Sequence, residues 1–186
     1  MQGWTTDPED PVQYPPTARL LMVRHAIAEE RGNFARTGRE DGERPLTDEG
    51  RARMRLAARG LRAQLDGIDL LATSPLARAT QTATIVAEAF DDCPLEVSDV
   101  LAMGPADAFL SWYRTVADAG LVAVVGHEPY LGDWASWLLA GPSAGFFVFK
   151  KGGACLLEFT DGIDPGRAAL RWHLAPAQLR ALGGAT

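Results

Sequence analysis

Cysteine and long hydrophobic runs are both scarce in this sequence. Only two of its 186 residues are cysteines, Cys93 and Cys155, and they do not show the spacing of metal-ligating pairs. The pattern favours two small buried thiols in a reducing compartment, although a disulfide between them stays open. No apolar run approaches the roughly 20 residues needed to span a bilayer, and the first residues lack the basic and apolar segments of a signal peptide. We therefore expect a cytoplasmic protein with no membrane partner.

Positive charge is also in short supply. The 18 lysines and arginines are outnumbered by 24 aspartates and glutamates, and the formal net charge of -6 argues against a general nucleic-acid binder. With 47% hydrophobic and 23% charged residues, the composition is typical of a globular protein with a sizeable core. Residues 1–17 are rich in Pro, Asp and Thr and show no periodicity. We expect a poorly ordered extension there and a single domain over residues 18–186.

A short apolar segment that ends in two polar residues is the first candidate for chemistry. Residues 20–23 are all apolar, and Arg24 and His25 follow directly, which predicts a strand buried on both faces over about residues 19–24. In open α/β sheets, ligands bind just outside the carboxyl ends of the strands. A buried guanidinium needs an anionic partner, because an unpaired one is costly. That partner is either a structural carboxylate or a bound anion, and this segment alone does not decide between them.

The same pattern occurs again near residue 125. Residues 121–125 form another fully apolar strand, which is followed by Gly126 and His127. A single histidine in such a place is usually structural. Two strand ends that both carry a histidine are much harder to explain by packing, and parallel strands would bring them to the same edge of the sheet.

A third strand end is predicted to carry an arginine. The strand over residues 69–73 runs into Ser74 and Pro75, which favour the start of a helix with Ser74 as its N-cap. Arg78 then lies in the first turn of that helix. Helix N-termini already attract anions, and an arginine there adds a planar fork that matches phosphate or carboxylate.

The remaining patterns alternate between helix and strand, which indicates an α/β fold. Residues 28–44 are polar and interrupted by glycines, so we expect a long loop that forms a rim or lid over the pocket. Thr47 is predicted to cap the next helix. Further elements are expected as an extended segment over 95–101, helices over 105–119 and from residue 129, strands over 146–149, 153–160 and 168–174, and a helix over 176–182.

Two guanidinium groups and two imidazoles in one pocket suit a phosphoryl group. The arginines can neutralise the equatorial oxygens, and a neutral imidazole can act as the nucleophile, forming a phosphohistidine that water then hydrolyses. Neighbouring cations disfavour a protonated ring, so we expect His25 to stay neutral, while His127, if protonated, can hydrogen-bond the phosphoryl oxygens. This scheme requires no metal and no other cofactor, and the sequence shows no metal-ligand cluster.

Four ordered motifs resemble those of the histidine phosphatase superfamily. They are Arg24-His25-Ala26, Arg44-Pro45-Leu46-Thr47, Ser74-Pro75-Leu76-Ala77-Arg78-Ala79-Thr80-Gln81-Thr82-Ala83 and Gly126-His127-Glu128-Pro129. In their residues and in their order along the chain, these motifs are most similar to those of the SixA-type phosphohistidine phosphatases. The resemblance covers about residues 19–174. The resemblance implies the phosphoglycerate mutase-like fold, a three-layer α/β/α sandwich with a mostly parallel central sheet. It also implies that His25 is the nucleophile and that Arg24, Arg78 and His127 form the phosphate pocket.

The sequence departs from this family at the proton donor. Phosphoglycerate mutase-like members carry an acidic residue after the second helix, whereas residues 100–105 of this chain contain no carboxylate. Asp99 and Asp107 flank the segment without matching the motif, and Glu128 is better suited to the start of a helix. The alkoxide leaving group of an alkyl phosphate needs a general acid to protonate it. The leaving group of a phosphohistidine with a protonated ring is neutral imidazole, which needs no such acid. The missing acid therefore favours a P–N bond as the one that is cleaved.

These arguments predict a metal-independent hydrolase that dephosphorylates phosphohistidine on another protein. The alternatives are a phosphatase of the same superfamily that acts on a small phosphoester, and a non-catalytic module that binds phosphorylated ligands. Binding alone would not need a nucleophile, and a mutase is disfavoured by the absent acid and the short chain. Few insertions favour a shallow, open site. The sequence does not predict the oligomeric state.

Overall fold

Strands made of uninterrupted apolar residues form the centre of the molecule. The computed structural model describes residues 18–142 and 145–184, and within these ranges six strands form one sheet in the order β3-β2-β4-β1-β5-β6. The strands are β1 (Ala18–Arg24), β2 (Leu70–Thr73), β3 (Leu95–Val97), β4 (Leu121–Gly126), β5 (Ala154–Phe159) and β6 (Ala169–Leu174).

The central strands are parallel, so their carboxyl ends meet at one edge. β4 pairs in parallel with both β1 and β2, and β2 pairs in parallel with β3. The register places Arg24 beside Gly126 and Thr73 beside Val125. β5 and β6 complete the sheet as antiparallel strands. The predicted α/β fold with a mostly parallel sheet is confirmed, and its topology brings the three expected strand ends together.

Helices cover both faces of this sheet. The helices are α1 (Arg31–Ala35), α2 (Asp48–Arg62), α3 (Ala77–Ala89), α4 (Val100–Met103), α5 (Ala106–Val116), α6 (Tyr130–Ala140) and α7 (Pro176–Gly183). The alternation of β1 separates two cores: Leu21 and Val23 pack with α2, α3 and α7, whereas Leu20 and Met22 pack with α5 and α6. This arrangement is the expected three-layer sandwich.

The contact between α2 and α7 depends on two glycines. A Cβ atom on Gly60 would lie 2.0 Å from the carbonyl oxygen of Leu179, and one on Gly183 would lie 2.0 Å from that of Leu56. Both distances are far below van der Waals contact. The absence of side chains at these positions therefore allows α7 to pack directly on α2.

The two predicted helix starts have different outcomes. Thr47 caps α2 as expected, because its Oγ1 accepts the backbone N–H of Gly50 at 2.9 Å. The next helix begins at Ala77, with Leu76 as the extended N-cap residue, so the predicted start at Ser74 and Pro75 is wrong by about two residues. Arg78 still lies in the first turn.

The segment over residues 28–44 is more ordered than the predicted loop. It contains α1 and a 3-10 turn over Asp41–Glu43, and it is pinned by an isolated bridge between Ala28 and Leu46. Glu30 supplies the local signal for α1, because its carboxylate accepts the backbone N–H of Asn33 at 2.8 Å. The glycines in this segment favour a loop, so the sequence did not predict this short helix.

Two further predictions about elements need correction or refinement. Residues 146–149 do not form a strand, since the backbone N–H groups of Phe146 and Phe147 donate to the Ser136 hydroxyl instead of to a neighbouring strand. The expected extended segment over 95–101 divides into β3 and the start of α4.

The predicted extension over residues 1–17 lies outside the described residues. None of the helices within residues 18–142 and 145–184 is both long enough and apolar enough to cross a membrane.

Candidate active site

His25 lies immediately after β1, at the edge where the parallel strands end. Its backbone N–H donates to the carbonyl oxygen of Gly126 at 3.1 Å, and its side chain is only 6% exposed. Ring atom Nδ1 lies 2.7 Å from the carbonyl oxygen of Ala26. A carbonyl oxygen can only accept, so Nδ1 must carry the proton. In the neutral ring, Nε2 therefore holds the free lone pair, and it makes no hydrogen bond with any described residue.

The environment of His25 keeps its ring neutral. Its pKa falls from 6.5 to about 3, mainly because burial penalises the charged form. The hydrogen bond to the Ala26 carbonyl opposes this effect, and the nearby His127, Arg78 and Arg24 lower the pKa further. The free lone pair on Nε2 is thus present throughout the physiological pH range.

His127 lies beside His25 at the end of β4. The two ring centroids are 5.0 Å apart, and His127 is also 6% exposed. Its Nε2 is 2.9 Å from the hydroxyl oxygen of Ser74, which follows β2. Burial lowers the pKa of His127 to about 4, and Arg78 and Arg24 contribute. The resting protein therefore carries a neutral His127, so the protonated form considered from the sequence is not the resting form.

The contact between Ser74 and His127 was not foreseen. From the sequence, Ser74 was expected to cap α3. Its hydroxyl does accept the backbone N–H of Leu76 at 3.3 Å, and the buried Ser74 also contacts the imidazole. When this hydroxyl donates to Nε2, the proton of His127 resides on Nδ1. That nitrogen is buried and has no hydrogen-bond partner among the described residues.

Arg78 projects from the first turn of α3 into the same region. It is 5% exposed, and its Nη1 lies 3.0 Å from the backbone oxygen and 3.3 Å from Oδ2 of Asp41. Thr82 fixes α3 to the chain that follows β1. Its hydroxyl donates to the Arg78 carbonyl oxygen and accepts the backbone N–H of Ala26. Arg78 is therefore held on both its backbone and its side chain.

Asp41 and Arg44 are the site residues that the sequence argument missed. Arg44 is 7% exposed; its Nε donates to Asp41 Oδ1 at 2.8 Å and its Nη1 donates to the carbonyl oxygen of Glu29. The hydrogen bond from Arg44 is the main cause of a lowered pKa for Asp41, with smaller contributions from Arg78 and Arg31. Arg44 was part of a recognised motif, which was the available signal. The segment over residues 28–44 was expected to form a rim or lid over the pocket, but nothing in the sequence singled out Asp41.

Arg24 lies opposite Arg78, at the end of β1. Its Nη1 donates to the carbonyl oxygen of Phe149, and the carboxylate of Glu128 lies close enough to stabilise its charge. Glu128 itself accepts the backbone N–H groups of Phe149 and Gly132, and burial raises its pKa. Glu128 thus fixes the segment before β5 and the start of α6 at the edge of the site.

The structure brings His25, His127, Arg24 and Arg78 together at one end of the sheet. Three buried nitrogen atoms there lack a hydrogen-bond partner within the described ranges: Arg24 Nε, Arg78 Nε and His127 Nδ1. Buried donors without partners are costly unless a ligand satisfies them. The buried guanidinium of Arg78, the half-buried guanidinium of Arg24 and a neutral imidazole with a free lone pair can bind an oxyanion and attack its central atom.

No carboxylate replaces the missing proton donor at α4. Leu101 is fully buried, whereas Asp99 and Asp107 are exposed to solvent. Within the part of the chain that the structure describes, no group of three or more His, Cys, Asp or Glu residues is placed to hold a metal ion.

Because both imidazoles are neutral in the folded protein, we expect the free energy of unfolding to decline in weak acid. Their pKa values of about 3 and about 4 lie below the unfolded value of 6.5, so between these limits the unfolded chain binds more protons. The free energy of unfolding should therefore fall as the pH drops below 6.5, by about 2 kcal/mol per histidine at pH 5. Urea denaturation at pH 7 and pH 5 measures this loss.

A double variant with His25→Gln and His127→Gln is the control for this prediction. It should lose most of the pH dependence, and the residual slope reports on His173 and the rest of the chain. An equal decline in the wild type and in the double variant would contradict the assignment of neutral rings.

Comparison with known proteins gives consistent matches over most of the chain. Residues 20–102 match the model of the histidine phosphatase superfamily (branch 1). An uncharacterised protein of Picosynechococcus sp. is 36% identical over 158 residues, which cover 83% of this chain and 89% of that protein.

Two solved structures are similar in fold and in sequence. The putative phosphohistidine phosphatase SixA from Nakamurella multipartitia is 26% identical with a TM-score of 0.72, covering 88% of this chain and 99% of that one. The putative phosphohistidine phosphatase SixA from Agrobacterium tumefaciens is 25% identical with a TM-score of 0.69, covering 86% and 98% of the two chains.

Proposed function

Because this chain belongs to the histidine phosphatase superfamily, we propose that it is a metal-independent phosphatase that uses His25 as its nucleophile and acts on phosphohistidine in another protein. The observation that carries this proposal is the hydrogen bond from His25 Nδ1 to the Ala26 carbonyl oxygen. It leaves Nε2 unprotonated beside two arginines, the buried Arg78 and the half-buried Arg24. Phosphoryl transfer requires this combination of a nucleophile with cations that neutralise the oxygens.

In the first step, the lone pair of His25 Nε2 attacks phosphorus. The P–N bond to the substrate imidazole breaks, and its electron pair stays on the departing nitrogen. Arg24 and Arg78 bind the equatorial oxygens, and the buried Nδ1 of His127 supplies a further hydrogen bond when it carries the proton. The arginines thereby supply the charge neutralisation that metal ions provide in other phosphoryl-transfer enzymes.

In the second step, a water molecule attacks the phosphorus of phospho-His25. The bond between phosphorus and Nε2 breaks, and its electron pair returns to the ring. Inorganic phosphate and one proton from water are released. His25 is restored as the neutral tautomer, which the Ala26 carbonyl oxygen continues to hold.

The apolar α4 segment supports phosphohistidine as the substrate. A phosphohistidine whose ring is protonated leaves as neutral imidazole, so its departure needs no acid from the enzyme. The leaving group of a simple alkyl phosphate is an alkoxide, which does need an acid. A positioned acid typically increases the rate by about 10² to 10⁴. The likeness to two putative phosphohistidine phosphatases is in line with this choice.

Substrate preference tests the proposal directly. Phosphate release should be measured in EDTA from a phosphohistidine-bearing protein, from 4-nitrophenyl phosphate and from a simple alkyl phosphate. We expect kcat/KM for phosphohistidine to exceed that for the alkyl phosphate by about 100-fold or more, since only the alkyl ester needs an acid. Efficient turnover of the alkyl phosphate with weak action on phosphohistidine would instead assign a small phosphoester as substrate. Loss of activity in EDTA would contradict the metal-independent scheme.

A further inference from the structure

A second cleft opens beside the catalytic pocket, on the other side of the chain that follows His25. Its walls come from the first turns of α2, the turn before β5 and the N-terminal half of α7. The residues that line it are Ala26, Ile27, Gly50, Arg53, Met54, Ala57, Lys151, Gly152, Pro176 and Arg180. Ala26 and Ile27 are the two residues next to His25, so the cleft and the catalytic pocket share a wall.

The cleft is positively charged in an otherwise acidic protein. Arg53, Lys151 and Arg180 surround it, and none of the ten described residues that line it is acidic. Lys150 and Lys151 are the only lysines in a chain whose net charge is -6. The first turn of α2 also carries two carboxylates, Asp48 and Glu49, and Glu49 forms an ion pair with Arg53. Three cations against two carboxylates leave a small local excess of positive charge.

The turn that carries Lys151 is fixed to the catalytic strand. The backbone N–H of Gly152 donates to the carbonyl oxygens of Arg24 at 3.1 Å and of His25 at 3.2 Å. Gly152 is buried and has a φ of 77°, a conformation that favours glycine. The position of Lys151 relative to His25 is therefore set by the backbone.

The size and lining of the cleft indicate what it can hold. The space behind its mouth is about 20 Å³, which holds about one water molecule. Met54 and Ala57, which form its floor, are each only 1% exposed. The cleft is therefore too small to enclose a side chain, and a carboxylate can only lie at its mouth, against the cations.

We propose that the cations at the mouth of this cleft bind an acidic side chain of the phosphohistidine-bearing protein while its phosphohistidine occupies the catalytic pocket. The inference rests on the proposed function and adds a preference for carboxylates close to the phosphorylated histidine. Charge complementarity and the shared wall support it. An acidic partner gains attraction to this edge of the protein, whereas the net negative charge elsewhere repels it.

Two phosphohistidine peptides of equal length test this inference. One carries glutamates within three residues of the phosphohistidine, and the other carries glutamines at the same positions. The test variant combines Lys151→Glu with Arg180→Glu. The control variant combines Arg55→Glu with Arg59→Glu, which makes the same charge change at exposed positions of α2 that line a different groove.

At low ionic strength we expect the wild type to prefer the glutamate peptide, and the test variant to lose about tenfold in kcat/KM for that peptide. Its kcat/KM for the glutamine peptide and for 4-nitrophenyl phosphate should remain within about twofold, because His25 and the arginines are untouched. The control variant should keep the preference for glutamate. Added salt should reduce the preference, since it screens exposed charges.

The outcomes separate this inference from the proposed function. Turnover of both peptides at equal kcat/KM by the wild type would overturn the docking cleft and leave the phosphatase intact. An equal loss on all three substrates in the test variant would also overturn it, because that result indicates damage to the catalytic pocket. Turnover of 4-nitrophenyl phosphate but of neither peptide would contradict the proposed substrate and the cleft together.

Discussion

Replacing His25 with alanine is expected to reduce kcat/KM for phosphohistidine by at least about 1,000-fold, because it removes the nucleophile that forms the covalent intermediate. No neighbouring group can take over. His127 has its Nε2 engaged with Ser74, and its ring lies 5.0 Å from that of His25. The remaining arginines can still bind phosphate, so the loss should fall on kcat more than on binding.

The chain contains a matched control for this substitution. His173 is the remaining histidine and packs on Phe147 and Phe149, with ring centroids 4.5 Å and 5.4 Å away. A His173→Ala variant should retain kcat/KM within a few fold. Both variants should be compared by phosphate release and by thermal unfolding. A His25→Ala enzyme that is folded and nearly as active as the wild type would rule out His25 as the nucleophile.

Replacing Arg78 with alanine is expected to reduce kcat/KM by about 100- to 1,000-fold, the typical effect of removing a group that stabilises charge in the transition state. Arg78 is buried and provides a planar fork, and its Nε has no partner within the described residues. Arg78→Lys keeps the charge but loses the fork, so its activity should lie between those of alanine and the wild type. The substitution also removes one of the ion-pair partners of Asp41, which Arg44 and Arg31 still hold.

Arg171 provides the control for Arg78. It lies on the edge strand β6, is exposed, and forms an ion pair with Glu158. Arg171→Ala should leave kcat/KM unchanged, because surface ion pairs contribute little and this one is remote from the catalytic edge. An Arg78→Ala variant with an unchanged kcat/KM would remove Arg78 from the phosphate pocket.

The parts of the fold that the sequence predicted well depend on local patterns. The uninterrupted apolar runs of β1 and β4 indicated buried parallel strands, and parallel strands necessarily bring their carboxyl ends together. This rule was enough to place Arg24, His25, Arg78 and His127 at one edge. The cap at Thr47 was predictable for the same reason, since it depends only on neighbouring residues.

The parts that the sequence did not predict depend on long-range contacts. Asp41 is separated from Arg78 by 37 positions, and no periodicity connects them. The hydroxyl of Ser74 accepts the backbone N–H of Leu76 at the start of α3, as a local pattern can predict, but its contact with His127 depends on the folded chain. Residues 146–149 have the composition of a strand, but Ser136 and Glu128 take up their backbone N–H groups. Each of these outcomes is decided by tertiary structure.

Trapping the covalent intermediate tests the central claim most directly. The wild type should be mixed with a ³²P-phosphohistidine protein, quenched within milliseconds in alkali, which preserves phosphohistidine, and digested for mass spectrometry. We predict that the label appears on the peptide that contains His25 and is absent from the His25→Ala variant. Label on another residue, or steady phosphate release by the wild type with no labelled enzyme at any time, would contradict a mechanism through phospho-His25.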